Sequence, residues 1–226
     1  MQIVFALVAL VVGFVLLVKG ADWFVEGSAG IANKFGIPQI VIGLTIVAMG
    51  TSMPEAAVSI SAALRGSAEI TIGNVVGSNI MNILVILGLT AVVCQIAVQK
   101  TTIHYEIPMV IGVTILLAVM GLQNNIISRA EGVILLACMV VYMLYLLRLA
   151  KRGVVENEEM DAYAKQVSFG RLILLVVVGV AAIIFGSHVA VEAASAIARI
   201  FGISERFIGL TIVAFGTSLP ELVTSV

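Results

Sequence analysis

The stretch "GLTIVAMGTSMPE" at residues 43–55 returns as "GLTIVAFGTSLPE" at residues 209–221. With an offset of 166, residues 36–55 lie on 202–221 and fourteen of the twenty positions are identical. Weaker agreement runs backward through Gly13/Gly179, Gly20/Gly186, Glu26/Glu192 and Phe35/Phe201, and forward to Ser59/Ser225. Each copy ends on Pro-Glu, and a carboxylate is an unusual group to write twice into so apolar a chain.

How apolar is clear from the rest of the sequence. Hydrophobic residues make up 61% of the 226 and charged residues 11%, against about a quarter charged in a soluble domain. The mean hydropathy is +1.19. Apolar runs of this length are membrane-spanning helices, so the expected fold class is an all-α polytopic membrane protein whose partner is the lipid bilayer. The net charge of -1 and the lack of a basic patch exclude nucleic acid as a partner. Cys94 and Cys138 sit alone in apolar runs and read as packing residues. The first apolar run has no basic stretch before it and is too long for a signal peptide, so it reads as a span.

Short polar breaks divide the chain into seven apolar segments, approximately 3–32, 37–64, 70–98, 104–122, 127–148, 171–200 and 204–226. The first is about 30 residues, roughly 45 Å as helix against a hydrocarbon core of about 30 Å, and must tilt, emerge, or bend at Gly13 or Gly20. Between Arg148 and Lys165 eight residues are charged. This solvated connector, 149–170, separates a first unit of five spans, 1–148, from the start of a second, 171–226. Leaving aside Lys19 inside a span, four basic residues (Arg65, Arg129, Arg199, Arg206) fall on the face of the amino terminus. Seven (Lys34, Lys100, Arg148, Lys151, Arg152, Lys165, Arg171) fall on the other. The bias places the connector in the cytoplasm and the amino terminus outside.

Five spans separate the start of one copy from the start of the other. Five is odd, so the copies cross the membrane in opposite directions. That is an inverted repeat, an architecture of secondary transporters that bind substrate between the repeats near the midplane.

On a single helix, Ala48, Thr51, Ser52 and Glu55 would form one stripe, and Ala214, Thr217, Ser218 and Glu221 its counterpart. Pro54 and Pro220 lack an N–H and press on the carbonyls of Gly50 and Gly216, so a kink with freed carbonyls is expected in each. Glycine at 50 and 216 would let an ion or another backbone approach. The donors are all oxygens, which suits hard cations such as Ca²⁺ and Na⁺. A charge at the bilayer centre costs on the order of 3 kcal/mol, and neither copy holds a Lys or Arg to offset it.

The third segment, "EITIGNVVGSNIMNILVILGL", adds Asn74, Ser78 and Asn82 on one helix face, with Gly73 and Gly77 permitting close approach to the second segment. Asn79 points elsewhere and is expected to pack or bond the helix. Asp22, Glu26, His188 and Glu192 lie beyond the most apolar stretches and read as interfacial, with ion entry the alternative; His104 reads as solvated. No catalytic triad and no HExxH-like set accompanies the carboxylates, so the chain is not expected to be an enzyme.

On "GLTIVAMGTSMPE" with "GNVVGSNIMN", and "GLTIVAFGTSLPE" in the second copy, the chain resembles the cation/calcium exchanger superfamily, specifically the sodium/calcium exchanger branch with its short prokaryotic members. The resemblance implies ten spans in two inverted five-span repeats, about seven of them present here, in a prokaryotic cell (inner) membrane. It implies Glu55 and Glu221 as central carboxylate ligands and hydroxyl ligands from Thr51, Ser52, Thr217 and Ser218. Ala48 and Ala214 would supply backbone carbonyls, and Ser78 and Asn82 further ligands. The implied activity is antiport of Na⁺ for Ca²⁺ by alternating access, with the ions as cargo and no resident cofactor. Proton/calcium or K⁺-dependent exchange is the nearest alternative, followed by a passive cation channel and an intramembrane hydrolase. Protons should compete for the same carboxylates. One departure is expected: the chain ends within the seventh segment, so the counterpart of Asn82, position 248, would belong to a complete protein of about 310–330 residues.

Overall fold

The computed structural model describes residues 2–37, 39–124, 126–150 and 167–225. Residues 151–166, most of the expected connector, lie outside the described residues. Helices occupy all seven apolar segments. In chain order they are α1 (Gln2–Lys34), α2 (39–51) and α3 (Met53–Leu64), and α4 (Ala68–Val93). There follow α5 (Thr102–Gln123), α6 (Arg129–Ala150) and α7 (Phe169–Phe201). Last come α8 (205–217) and α9 (Leu219–Ser225). Five of these are single helices long and apolar enough to cross a membrane, and the bent α2–α3 pair makes a sixth. The α8–α9 pair repeats that broken pattern in the seventh segment.

Helices are the form this composition demands, because in lipid every backbone N–H and C=O must be met within the segment. Their ends carry the expected chemistry. Ser168 and Ser204 cap α7 and α8, accepting from the Arg171 and Phe207 amides at 3.3 and 3.2 Å. Before α6, the Ser128 amide donates to Glu131 Oε2 at 2.7 Å and the Glu131 amide to Ser128 Oγ at 3.3 Å, a reciprocal capping box. Gly36, Gly66 and Gly202 take the left-handed conformation in the turns after α1, α3 and α7, at φ 72°, 79° and 64°.

The chain forms two compact units, residues 1–94 with 155–226, and residues 95–154. The larger unit therefore draws on both sequence repeats. Its core pairs α1 with α7 antiparallel through small residues. A Cβ on Gly20 would lie 2.8 Å from the Gly179 carbonyl oxygen, and a Cβ on Gly179 would lie 2.7 Å from that of Gly20. Gly13 meets Ala190, Gly186 meets the Gly13 carbonyl, and Gly27 meets that of Leu172. The Gly20–Gly179 and Gly186–Gly13 contacts exchange under the offset of 166, so the two repeats meet about a pseudo-two-fold relation. Gly13 and Gly20 thus admit α7 rather than break α1, which runs as 33 uninterrupted helical residues. Leu17, Val58, Ile70, Val191, Ala194, Ile208 and Val213 fill the centre, while Phe5, Leu64 and Val92 are among many large apolar side chains left outside, as a lipid-facing surface requires.

At the end of α3, Arg65 pairs with Glu192 on α7 at 3.1 Å and contacts His188. Midway along α1, Lys19 pairs with Asp22 at 3.2 Å. Asp22, His188 and Glu192 are accordingly tied into surface pairs. His104 is exposed, its ring bonded to the Lys100 carbonyl at 2.8 Å. Cys94 differs from its expected place in a packed helix: α4 stops at Val93, and Cys94 is extended and exposed. In the smaller unit α5 and α6 pack together, Tyr145 donating to Glu106 at 3.3 Å and stacking on Tyr142.

Candidate ion-binding site

Both copies of the repeated motif fold in the same unusual way. Residues Gly43–Val47 and Gly209–Val213 are π-helical, each followed by a single α-turn, Ala48–Thr51 and Ala214–Thr217. The helix then breaks at Ser52 (φ −87°, ψ 4°) and at Ser218 (φ −86°, ψ 7°). Across the first break the axis bends by 49°. The four-residue stripe expected on one unbroken helix is therefore shared between two helices in each copy. The cause is the proline: Pro54 and Pro220 stand in the first turn of α3 and α9, where a missing N–H costs nothing, instead of kinking a helix interior.

The break turns the repeated side chains toward each other. Ser218 Oγ donates to Glu55 Oε1 at 3.0 Å, and Ser52 Oγ donates to Glu221 Oε1 at 3.4 Å. Each carboxylate thus takes its hydroxyl from the opposite copy, and the pair of bonds exchanges under the same offset of 166. Thr217 and Thr51 hydroxyls also neighbour the Glu55 and Glu221 carboxylates in the same crossed sense. Within each copy, Thr51 donates to the Ala48 carbonyl at 3.2 Å, and Thr217 has the Ala214 carbonyl within reach at the same distance. These are the two carbonyls that the resemblance implies as ligands, and that of Ala214 also accepts the Ser218 amide at 3.1 Å.

Helix α4 closes the other side. Ser78 lies 3.5 Å from Thr217 Oγ1, hydroxyl to hydroxyl. Asn82 sits in a third π-helical stretch, Met81–Ile86, and its Oδ1 is buried with no hydrogen-bond partner among the described residues. Glu55 Oε2 is buried in the same condition. Buried oxygens that accept nothing are costly, and a bound cation removes that cost. Asn79 bonds its own helix, its Nδ2 donating to the Val75 carbonyl at 2.7 Å, as its angular position implies.

Two expectations about glycine need correction. Gly73 and Gly77 do not admit the second segment. A Cβ on Gly73 would lie 2.7 Å from the Arg206 carbonyl oxygen, and one on Gly77 2.5 Å from that of Leu210, so this face of α4 packs on α8. Gly50 and Gly216 admit neither ion nor backbone; they make room for the side chains of Val25 and Phe14 on α1. Sequence reading placed Asn74 on the stripe of α4 but not in the ligand set. In the structure it is fully buried and bonds both copies. Its spacing of four from Ser78 was the available signal.

What this arrangement offers is two carboxylates surrounded by neutral oxygens from oppositely running, broken helices. The comparisons agree. The family model described as sodium/calcium exchanger protein matches residues 5–148 and 171–226. The chain is 40% identical over 224 residues to the putative antiporter CaxA of Alkalimonas amylolytica, covering 97% of this chain and 70% of that protein. It is 36% identical over 225 residues to the inner membrane protein YrbG of Escherichia coli K12, covering 96% and 68%. A solved structure of the sodium-calcium exchanger NCX_Mj, soaked with 2.5 mM Na⁺ and 10 mM Sr²⁺, superposes with a TM-score of 0.60 at 34% identity, covering 99% of this chain and 72% of that one. With a repeat, a pair of crossed carboxylate sites and a family match that all fall on the same residues, the chain belongs to the sodium/calcium exchanger protein family.

Proposed function

We propose that this chain forms the Na⁺- and Ca²⁺-binding part of an antiporter that exchanges the two ions across a membrane by alternating access. The carrying observation is the crossed pairing of Glu55 with Ser218 and Glu221 with Ser52, at 3.0 and 3.4 Å. Two carboxylates held close in a low-dielectric setting repel, and a cation lying between them removes that repulsion. One Ca²⁺ neutralises both charges, and so do two Na⁺, so loading one kind of ion excludes the other. Each carboxylate rides on a helix from a different repeat, so a cation bound to both couples the two repeats mechanically.

In this reading Glu55 and Glu221 supply the charge. Thr51, Ser52, Thr217, Ser218 and Ser78 supply hydroxyl oxygens, Ala48 and Ala214 carbonyl oxygens, and Asn82 an amide oxygen. The buried, unmet Oε2 of Glu55 and Oδ1 of Asn82 support the assignment. Residues 1–148 form one five-span repeat and 171–226 belong to its inverted partner. The basic-residue bias puts the 149–170 connector in the cytoplasm and the amino terminus outside, and the named inner-membrane relative supports a prokaryotic cell membrane. The process is transport and makes or breaks no covalent bond.

The test is ⁴⁵Ca²⁺ uptake into vesicles reconstituted with the protein that bears this chain, with and without an outward Na⁺ gradient. Uptake is expected to need the gradient, and Glu55→Gln and Glu221→Gln should each abolish it. Uptake indifferent to trans Na⁺ would mark a passive channel. Na⁺-driven uptake surviving in both variants would remove the carboxylates from the site.

A further inference from the structure

Asn74 stands one helical turn before Ser78 on α4 and is 0% exposed. Its side-chain nitrogen donates to the Glu55 carbonyl oxygen at 3.1 Å and to Ser59 Oγ at 3.0 Å. Its Oδ1 accepts from Thr217 Oγ1 at 3.0 Å. A backbone carbonyl can only accept, so the Glu55 carbonyl fixes which way the amide faces: nitrogen toward α3, oxygen toward α8. Thr71 Oγ1 donates to the Ser59 carbonyl at 2.9 Å and holds the same α3–α4 contact in register.

The fixed amide offers the Thr217 proton an acceptor at 3.0 Å, nearer than the Ala214 carbonyl at 3.2 Å. A threonine hydroxyl has one proton and two lone pairs. Beside a carboxylate it would ordinarily give that proton to the charged oxygen, because charge-assisted hydrogen bonds are the stronger ones. Such a bond would occupy a Glu55 lone pair and turn the threonine lone pairs away. An arriving cation would then have to break it. We infer that Asn74 is a positioning residue of the ion site: by accepting the Thr217 proton it presents the Thr217 lone pairs, and an unoccupied Glu55 oxygen, to the cation. The inference rests on the exchange reading and adds to it an uncharged residue, outside the ligand set, that tunes affinity. In the first copy Thr51, half-buried, donates to the Ala48 carbonyl of its own helix at 3.2 Å; Thr217 has the matching Ala214 carbonyl at 3.2 Å, and to it the second copy adds the nearer Asn74 acceptor at 3.0 Å.

The experiment measures the apparent Ca²⁺ KM and maximal rate of Na⁺-driven uptake, with Ca²⁺ affinity of the purified protein read by calorimetry in parallel. Asn74→Ala is expected to raise the KM and the dissociation constant about tenfold, the usual cost of losing an outer-shell partner, with the maximal rate little changed. Thr217→Val should raise them as well, Thr217→Ser should restore them, and Asn74→Ala added to Thr217→Val should cost nothing further. Asn79→Ala, on the other face of α4, should change neither constant. A merely structural Asn74 would instead lower the amount of folded protein or the maximal rate at constant KM, and its effect would multiply with that of Thr217→Val. Either result overturns the inference. If Asn74→Ala does not fold, Thr217→Val decides alone, since unchanged Ca²⁺ affinity in that variant removes the group Asn74 acts through. A wild-type protein that binds Ca²⁺ but shows no Na⁺-driven uptake would strike the exchange reading, while calorimetry would still judge Asn74.

Discussion

The two copies of the motif share nearly the same sequence and the same backbone, yet they live in different surroundings. Both run a π-turn, one α-turn and a break at serine with dihedrals matching within a few degrees. In the second copy Ala214 and Thr217 are 0% exposed and Ser218 is 2% exposed, whereas Ala48 and Ser52 are exposed and Thr51 is half-buried. The difference lies in the neighbours. Helix α4 lays its Gly73 and Gly77 face directly on the backbone of α8, and the ring of Phe14 fills the space over Gly216. Over the first copy the corresponding space is filled by the smaller Val25 side chain. Local sequence therefore sets the shape of the break, and the packing of α4 sets the burial of the second copy.

The largest expected effect ignores this difference. If the crossed carboxylates act as one cage, Glu55→Gln and Glu221→Gln should be equally lethal to Na⁺-driven Ca²⁺ uptake, although the hydroxyls of the two copies are unequally buried. A variant with Glu55→Gln alone that kept exchange would show that the first copy is scaffold. Packing should separate the copies next. In Gly77→Ala the new Cβ would meet the Leu210 carbonyl oxygen at 2.5 Å, and backbone cannot move aside without parting α4 from α8. Overpacking of that kind costs about 2–3 kcal/mol. Gly50→Ala meets the Val25 side chain rather than backbone, and although a β-branched χ1 is stiff in a helix, a side chain can yield more than a backbone can, so its cost should be smaller, about 1–2 kcal/mol. Thermal unfolding in detergent should rank Gly77→Ala below Gly50→Ala. Equal losses would mean that the α4–α8 contact is looser than drawn.

How far these features could be read from sequence follows the same division. The inverted repeat, the apolar segments and the family resemblance were legible because they rest on local composition and on a motif written twice. The kink at Pro54 was legible as a disturbance but not as a break, since the same proline either kinks a helix interior or opens a new helix. The π-helical stretches around the site left no readable trace: a π-turn inserts one residue per turn without demanding a particular side chain. The partner of Gly73 and Gly77 was misplaced because close approach is visible in a glycine while the approaching helix is not. Asn74 was seen as a polar residue on the right face. Its value lies in bonds to Glu55 and Thr217, 19 and 143 residues away, and no periodicity reports those.

The smallest effect sharpens the comparison most, because it changes one hydroxyl at matched positions. Ser218→Ala removes a buried donor 3.0 Å from Glu55 Oε1, and Ser52→Ala removes an exposed donor 3.4 Å from Glu221 Oε1. Hydrogen bonds to charged groups contribute about 1.5–3 kcal/mol when water cannot replace them. The longer, exposed one should contribute about 0.5 kcal/mol or less, since solvent can take its place. Thermal unfolding without added ion should therefore fall by about 1.5 kcal/mol in Ser218→Ala and hardly at all in Ser52→Ala. Saturating Ca²⁺ should raise the stability of all three proteins, because an ion that binds only the folded state shifts the equilibrium by mass action. It should also narrow the gap between the serine variants, since a cation on Glu55 replaces the donor that Ser218→Ala took away. A gap that Ca²⁺ leaves untouched would mean that Ser218 holds the break in shape without facing the ion.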